Sequence, residues 1–265
     1  MPFTAAHPLA VVPVLRRLGL DPTCLVIGSM APDFEYFVRG EQVSTISHTL
    51  AGLALWCLPV TLILAALLHG LVKWPMLLVA PVAIARRAAA RVARPWRARP
   101  GPGAIVSCVC SALIGSATHL IWDGFTHAQG FGPRHYRALK TPITLPAVGP
   151  IVLHRALQHG STLLGVGVLG VLIVRGLRRS APIALPAVPR AAARAVVVAC
   201  VLIAASLTLA RLAGKHATDP GDLIVGAIAG LLAGVIVASA AIAPRARRLQ
   251  RAVVAATGVS SSARV

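Results

Sequence analysis

Six side chains define the chemistry open to this chain: His7, Asp33, His48, His119, Asp123 and His127. His119, Asp123 and His127 are spaced i, i+4 and i+8, which puts them on one side of a continuous helix. Two ligands at i, i+4 can hold a single ion. Asp33 ends the run Gly28-Ser29-Met30-Ala31-Pro32-Asp33, where proline and glycine predict a sharp turn that presents a carboxylate. His48 sits in Ser47-His48-Thr49 at a predicted helix start, with Ser47 or Thr49 as the cap. Imidazole and carboxylate donors without a thiolate pair suit Zn²⁺ first, with Mn²⁺ or Fe²⁺ as alternatives. An open position on such an ion acidifies water and makes hydrolysis the natural reaction class, with Asp123 and His127 as the catalytic pair. Plainer roles compete. A His119–Asp123 pair can simply hydrogen-bond at a helix end, and Asp33 can cap a helix.

The placement of these groups gives them weight. The chain has only seven acidic residues, and Asp33 and Asp123 lie in or beside long apolar stretches, where ionisable groups are costly and carry function by default. Glu35 is a weaker candidate that serves equally as a solvated loop residue. His154, Gln158 and His159, at i, i+4 and i+5 ahead of an apolar span, fit groups that support the ligands, or a bland interfacial helix.

The elements that must carry the site are membrane spans. The chain is 57% hydrophobic and 12% charged, with a mean hydropathy of +0.79, against about 45–50% and about 25% for soluble domains. The fold class expected is all-α: a polytopic membrane helical bundle with about five spans and short N-terminal and interfacial helices. The spans are read at 49–72, 103–122, 160–174, 195–213 and 223–243. Residues 75–85 are apolar but too short to cross unaided, and suit an interfacial or re-entrant segment. A short amphipathic helix is expected over Leu9 to Leu18 and another over Thr23 to Met30, then a polar loop over 33–47. Residues 124–158 read as a polar connection and Asp219-Pro220-Gly221-Asp222 as a turn. Residues 1–251 form a single helical domain, and 252–265 a disordered tail. Gly226, Gly230 and Gly234 read as close helix packing.

The net charge is +19, carried almost wholly by arginine. Arginine flanking apolar spans is what the positive-inside rule predicts, and the few aromatics offer little for base stacking, so nucleic acid is not an expected partner. The basic segments 86–102, 175–194 and 244–251 hold 15 of the 26 Lys and Arg residues. They alternate correctly if all three face the cytoplasm. Residues 1–48, 123–159 and 214–222 then lie on the outer side of the cell membrane. That topology, deduced from arginine alone, gathers Asp33, His48, His119, Asp123 and His127 on the extracytoplasmic face. No basic and apolar leader opens the chain, so insertion is expected to rely on internal spans. Cys24, Cys57, Cys108, Cys110 and Cys200 form no C-x-x-C pair and read as small hydrophobes. No G-x-S-x-G elbow, phosphate loop or dinucleotide fingerprint is present.

Met-Pro-Phe-Thr at the start, His7-Pro8, Gly-Ser-Met-Ala-Pro-Asp-Phe-Glu-Tyr, Ser-His-Thr and Thr-His-Leu-Ile-Trp-Asp-Gly-Phe-Thr-His closely resemble bacterial domain-of-unknown-function family 4184, over roughly residues 1–240. The resemblance implies a multi-spanning membrane protein. A looser similarity reaches the inner-membrane metal-dependent hydrolases and, beyond them, the all-helical zinc-dependent phospholipase C and P1 nuclease group. That similarity implies His7, Asp33, His48, His119 and Asp123 as metal ligands, His127 as a sixth ligand or a general acid–base, and a lipid-like or envelope phosphoester or ester as substrate. Here Pro-Asp is followed by Phe-Glu rather than Ile-Asp-His, so one or more ligands of a multi-metal site are missing from the pattern.

Overall fold

Proline and glycine decide where the helices of this chain start, bend and stop. The structure, a computed structural model, describes residues 4–14, 19–96, 101–146, 149–186, 189–213 and 220–258. A 3-10 turn at Thr4–Ala6 leads into α1 (Pro8–Val11) and a second 3-10 turn at Val12–Val14. The rest of the expected Leu9 to Leu18 helix, with Arg16 and Arg17, lies outside the described residues. In α2 (Pro22–Gly28), Pro22 occupies the first turn, where its missing N–H costs nothing, and the Asp21 carboxylate caps the helix by accepting from the Cys24 N–H at 2.8 Å.

Pro32 lies in a 3-10 turn, Ala31–Asp33, that runs directly into α3 (Phe34–Arg39). The polar loop expected over 33–47 is therefore helical in its first part. Glu35 and Arg39, at i and i+4, form an ion pair of 2.8 Å there, which accounts for the carboxylate without any ligand role.

The first long helix, α4, runs Leu50–Val79. It contains two π-helical stretches, Leu53–Cys57 and Leu68–Val72. Each includes the residue four before a proline, Pro59 or Pro75. Proline lacks an N–H and crowds the carbonyl four residues back, and a local π turn re-routes the ladder around it. Residues 75–79 therefore continue the first span, which corrects the expectation of a separate interfacial or re-entrant segment over 75–85. The break falls at Ala80–Pro81, and α5 (Val82–Val92) carries Arg86, Arg87 and Arg91 on a helix rather than in a loop. Arg97 and Arg99 lie outside the described residues.

The second long helix is α6 (Pro102–Thr126), followed by α7 (Phe131–His135) and a 3-10 turn at Arg137–Lys140. Strands β1 (Pro142–Leu145) and β2 (Gly149–Val152) pair antiparallel, with Pro142 opposite Val152 and Leu145 opposite Gly149. This ribbon interrupts what reads in sequence as a featureless connection. Helices α8 (Leu153–Arg178), α9 (Ala191–Ala213) and α10 (Pro220–Thr257) complete the chain. Asp219 of the expected turn lies outside the described residues, and Pro220 already opens α10. That helix passes through Pro244, so Arg245, Arg247, Arg248 and Arg251 are helical. It continues through residues 252–257, where a tail was expected, and stops at Gly258 in the left-handed region with φ 61°. Residues 259–265 lie outside the described residues. The fold is all-α in class, with five helices among the described residues long and apolar enough to cross a membrane by length and composition.

The chain divides into two compact units. The second comprises 35–43, 63–99 and 174–265. Its core packs Trp74, Leu77 and Leu78 against Ala85, Ala89, Ile242 and Leu249. Gly230 and Gly234 let α10 lie directly on the α9 backbone, where an added Cβ at Gly234 would come within 3.0 Å of the Cys200 carbonyl. Arginines cap helix ends here. Arg91 donates to the Gly176 carbonyl at 2.8 Å, Arg87 to that of Arg178 at 3.0 Å, and Arg194 to that of Val79 at 3.0 Å. Cations on the exposed carbonyls of a C-terminus are favourable, so part of the basic excess has a structural use.

Candidate metal centre

All six candidate residues fall in the first unit, which comprises 1–34, 44–62 and 100–173. The seam between α2 and α6 sets their geometry. Gly28 lies on the backbone of Ala112, and Gly115 lies on the backbone of Leu25 and Ser29, so closely that neither tolerates a Cβ without a shift. Serines on α6 tie the seam together. Ser107 donates to the Gly19 carbonyl at 2.8 Å and Ser116 to that of Gly28 at 3.0 Å, while Ser111 accepts from the Asp21 N–H at 2.8 Å.

His119 continues this stripe one turn beyond Gly115. Its Nδ1 donates to the Ser29 carbonyl at 2.8 Å. A carbonyl only accepts, so Nδ1 carries the proton, and in a neutral ring Nε2 is left with its lone pair. That atom is 3.4 Å from Asp33 Oδ1 and 3.4 Å from Asp123 Oδ2. Electron-rich atoms facing one another in a buried site call for a positive charge among them, either a proton or a cation.

Asp33 is 1% exposed. Its Oδ2 accepts from the Thr4 hydroxyl at 2.7 Å, which aims Oδ1 at the imidazoles. Burial by itself would raise this carboxyl. The neighbouring His119, His48 and Thr4 more than reverse that and hold it well below the usual carboxylate range. His48 is set by its flanks. Ser47 Oγ lies 3.0 Å from His48 Nδ1, and Thr49 caps α4 by accepting from the Gly52 N–H at 2.9 Å. His48 Nε2 stands 3.7 Å from Asp33 Oδ1 and 3.8 Å from Asp123 Oδ2.

One ligand atom from each of Asp33, His48, His119 and Asp123 lies within 4.8 Å of every other, so this group can hold a metal ion. His7 adjoins it. Its ring stacks on His119 with centroids 3.7 Å apart, and its Nε2 lies 3.7 Å from Asp123 Oδ1, the oxygen that faces away from His48 and His119. Burial, with His119 alongside, lowers His7 to about 4 and keeps it neutral at physiological pH. His7 Nε2, Asp33 Oδ1, His119 Nε2 and Asp123 Oδ1 are buried and have no hydrogen-bond partner among the described residues. Buried polar atoms are nearly always satisfied, and four exceptions in one cluster, with His119 Nε2 facing Asp33 Oδ1 and His7 Nε2 facing Asp123 Oδ1, demand an explanation.

His127 does not continue the helix. It is the C-cap residue of α6, with extended φ and ψ, and its side chain is one-third exposed. Nδ1 donates to the Asp123 carbonyl at 3.1 Å, which leaves Nε2 as an acceptor, and the Gln158 amide nitrogen lies 3.5 Å from it. Of the group read ahead of the third span, Gln158 therefore reaches the rim of the centre. His154 instead donates to the Leu139 carbonyl at 3.0 Å, and His159 is exposed. Sequence reasoning missed Thr4 and the Ser29 carbonyl. The hydroxyl of Thr4 carries no spacing signal, and a backbone acceptor has no residue type at all.

A second buried group, Asp21, Cys24 and Cys108, also brings ligand atoms together. The Asp21 carboxylate is engaged as the α2 cap. Burial, with Asp21 and Cys108 nearby, pushes the Cys24 thiol up. All five cysteines are free.

Neither the curated proteins nor the solved structures contain a match to this chain. These comparisons show no similarity to metal-dependent hydrolases. The family model described as "Domain of unknown function (DUF4184)" matches residues 1–240, and the chain belongs to that family.

Proposed function

We propose that this protein is a membrane metal-dependent hydrolase that cleaves a lipid-linked or envelope phosphoester or ester. Asp33, His48, His119 and Asp123 hold the ion, and zinc is its first candidate. The observation that carries this reading is that one ligand atom from each of these four residues lies within 4.8 Å of every other, with Asp33 Oδ1 and His119 Nε2 buried and without a hydrogen-bond partner among the described residues. Distances support it. Ligand bonds of about 2.1 Å in a tetrahedral site put neighbouring ligand atoms about 3.4 Å apart. His119 Nε2 stands 3.4 Å from both carboxylates, and His48 Nε2 stands at 3.7 and 3.8 Å. The donor set, two imidazoles and two carboxylates, suits Zn²⁺, Mn²⁺ or Fe²⁺.

A divalent cation here supplies Lewis acidity and acidified water. The chain supplies the rest. Thr4 and Ser29 orient Asp33 and His119 from behind, the part that outer hydrogen bonds play around ligands. His127, at the solvent-facing rim with Nε2 as its acceptor nitrogen, takes and returns a proton, and the Gln158 amide beside that atom steadies the ring. Asp123 spans the centre, with Oδ2 towards His119 and Oδ1 towards His7. The five long apolar helices make the bilayer the natural environment, and a lipid the natural substrate source. The basic segments 86–102, 175–194 and 244–251 favour a cell membrane location with the centre on the extracytoplasmic side.

A second reading has an observation of its own. His119 and Asp33 are almost fully buried, and the ligands come from three separate chain segments. An ion there that only ties these segments together would make the protein a non-catalytic membrane scaffold or metal-binding protein. The test is metal analysis of detergent-purified protein, followed by a panel of phosphoesters and lipids. Hydrolysis predicts close to one ion per chain, lost in His119→Ala and Asp123→Ala, and turnover abolished by the same changes. Bound metal without turnover of any panel member selects the scaffold. Metal content unchanged in both variants ends the ligand assignment.

A further inference from the structure

A cavity of about 210 Å³ opens beside the centre within the first unit. His7, Leu9 and Ala10 line it from the N-terminal side, and Trp122 of α6 and Leu164 of α8 line it from the other. Trp122 donates its indole N–H to the Ser161 hydroxyl at 3.2 Å, so the polar edge of the ring is engaged and its apolar surface is left for the cavity. The walls are otherwise almost wholly apolar. His7 and Ser161 are the exceptions, and His7 is shared with the centre, where its Nε2 stands 3.7 Å from Asp123 Oδ1. The cavity and the ligand cluster thus have one wall in common.

Size and surroundings narrow the occupant. Pockets for whole drug-sized ligands run to about 300–1,000 Å³, so this one suits a chain segment rather than an entire molecule. Its wall includes exposed apolar surface, since Leu164 is 62% exposed, and Trp122 and Leu164 stand on two helices long enough to cross a bilayer. An occupant reaching the cavity through that surface arrives from lipid. It is then apolar over the length the cavity covers and places a polar group beside His7 and Asp123.

We propose that the cavity seats the apolar chain of a membrane phosphoester lipid whose phosphate lies at the Asp33–His48–His119–Asp123 centre; the phosphate placement rests on the metal reading above. Substrate selection is then divided. The centre recognises the phosphate, and the Leu9, Ala10, Trp122 and Leu164 walls recognise the chain.

The experiment is photolabelling of the full-length protein in detergent with an alkyl phosphate that carries a diazirine near the end of its chain. Cross-links are mapped by peptide mass spectrometry, alongside metal content. The expected result is labelling concentrated in residues 6–10 and 161–164. It falls at least tenfold in Ala10→Phe and in Leu164→Phe, both at exposed positions that tolerate a ring, and is unchanged in Leu202→Phe on α9. An uncharged alkanol with the same diazirine labels those segments several-fold less. Labelling spread evenly over the exposed helix faces and indifferent to both variants overturns the proposal, and so do cross-links between two copies of the chain at residues 6–10. Equal labelling by the alkanol overturns the phosphate placement. Metal-free protein that still labels in the cavity sinks the metal reading while the chain site stands. Metal-loaded protein that never labels there does the reverse.

Discussion

His7 and His119 stack face to face, with ring centroids 3.7 Å apart and planes 17° from parallel. The contact joins the N-terminal turn to the last third of a membrane-length helix. It also separates two roles that the motif alone merges. His119 belongs to the four-residue group whose ligand atoms converge, whereas His7 braces that group from the side. Replacing His7 with Phe keeps the stack and removes the nitrogen. We expect His7→Phe to lower metal affinity about 10–100-fold, the usual effect of losing a supporting group. His119→Ala is expected to remove binding. Competition titration with a chromogenic chelator separates the two, and equal losses would promote His7 to a full ligand.

Thr4 is the most informative supporting residue to change. Its hydroxyl donates to Asp33 Oδ2 at 2.7 Å, a role that no ligand spacing marks. Thr4→Val leaves a buried carboxylate oxygen without its donor, a loss of about 1–3 kcal/mol. Chemical unfolding in detergent should register it in the metal-free protein, and metal affinity should fall in parallel. A variant as stable as wild type would show that Asp33 is held by other means.

The glycine seam makes a paired prediction. A Cβ at Gly115 meets the backbone of Leu25 and Ser29, while a Cβ at Gly124, about two and a half turns along the same helix, meets nothing within 4 Å. Gly115→Ala should destabilise by about 1–3 kcal/mol through overpacking and should lose metal as the Ser29 carbonyl is pushed away from His119. Gly124→Ala should leave metal content intact and gain a little stability from the better helix former. Thermal melts with metal analysis check both.

Protonation gives a pH signature. His7 is lowered to about 4 in the folded chain, from an ordinary value of 6.5. Between those values the unfolded state binds a proton that the folded state refuses, so stability rises with pH across the window and is lost as pH falls from 6.5 towards 4. Asp33, also depressed, contributes stability that is lost at lower pH still, below the ordinary carboxylate value of 3.8. The His7 share is the difference between wild type and His7→Phe in melting temperature against pH. The gap between the two curves should shift in favour of the wild type from pH 4 to pH 6.5 and stay constant on either side, and curves parallel throughout would refute the assignment.

Sidedness can be read directly. If the basic segments face the cytoplasm, a cysteine placed at His135 should react with a membrane-impermeant maleimide in intact cells, and one placed at Ser180 should react only after lysis. The opposite pattern would put the centre on the cytoplasmic face.

Much of the site was legible in the sequence because its information is one-dimensional. The i, i+4 spacing of His119 and Asp123 survives translation into a helix, and the apolar run lengths translate into spans. What stayed hidden depends on backbone. The π stretches before Pro59 and Pro75 merge residues 75–79 into the first span, and hydropathy averaged over a window shows only a gap in length there. The helix over Phe34–Arg39 looks like a polar loop because its support is an ion pair and not an apolar face. The ribbon at 142–152 is short, rich in proline and half exposed, so its alternation is faint. The arginine caps were invisible because charge counts say nothing about which carbonyl a guanidinium will find.

The bare contact between Gly115 and the Leu25–Ser29 backbone fixes how far α2 can slide along α6. With no side chains in between to act as a cushion, the two helices mesh at a single register. The proton on one imidazole is therefore dictated by a mechanical stop a full turn away, and any variant that loosens that stop changes the donor chemistry of His119 without touching a ligand.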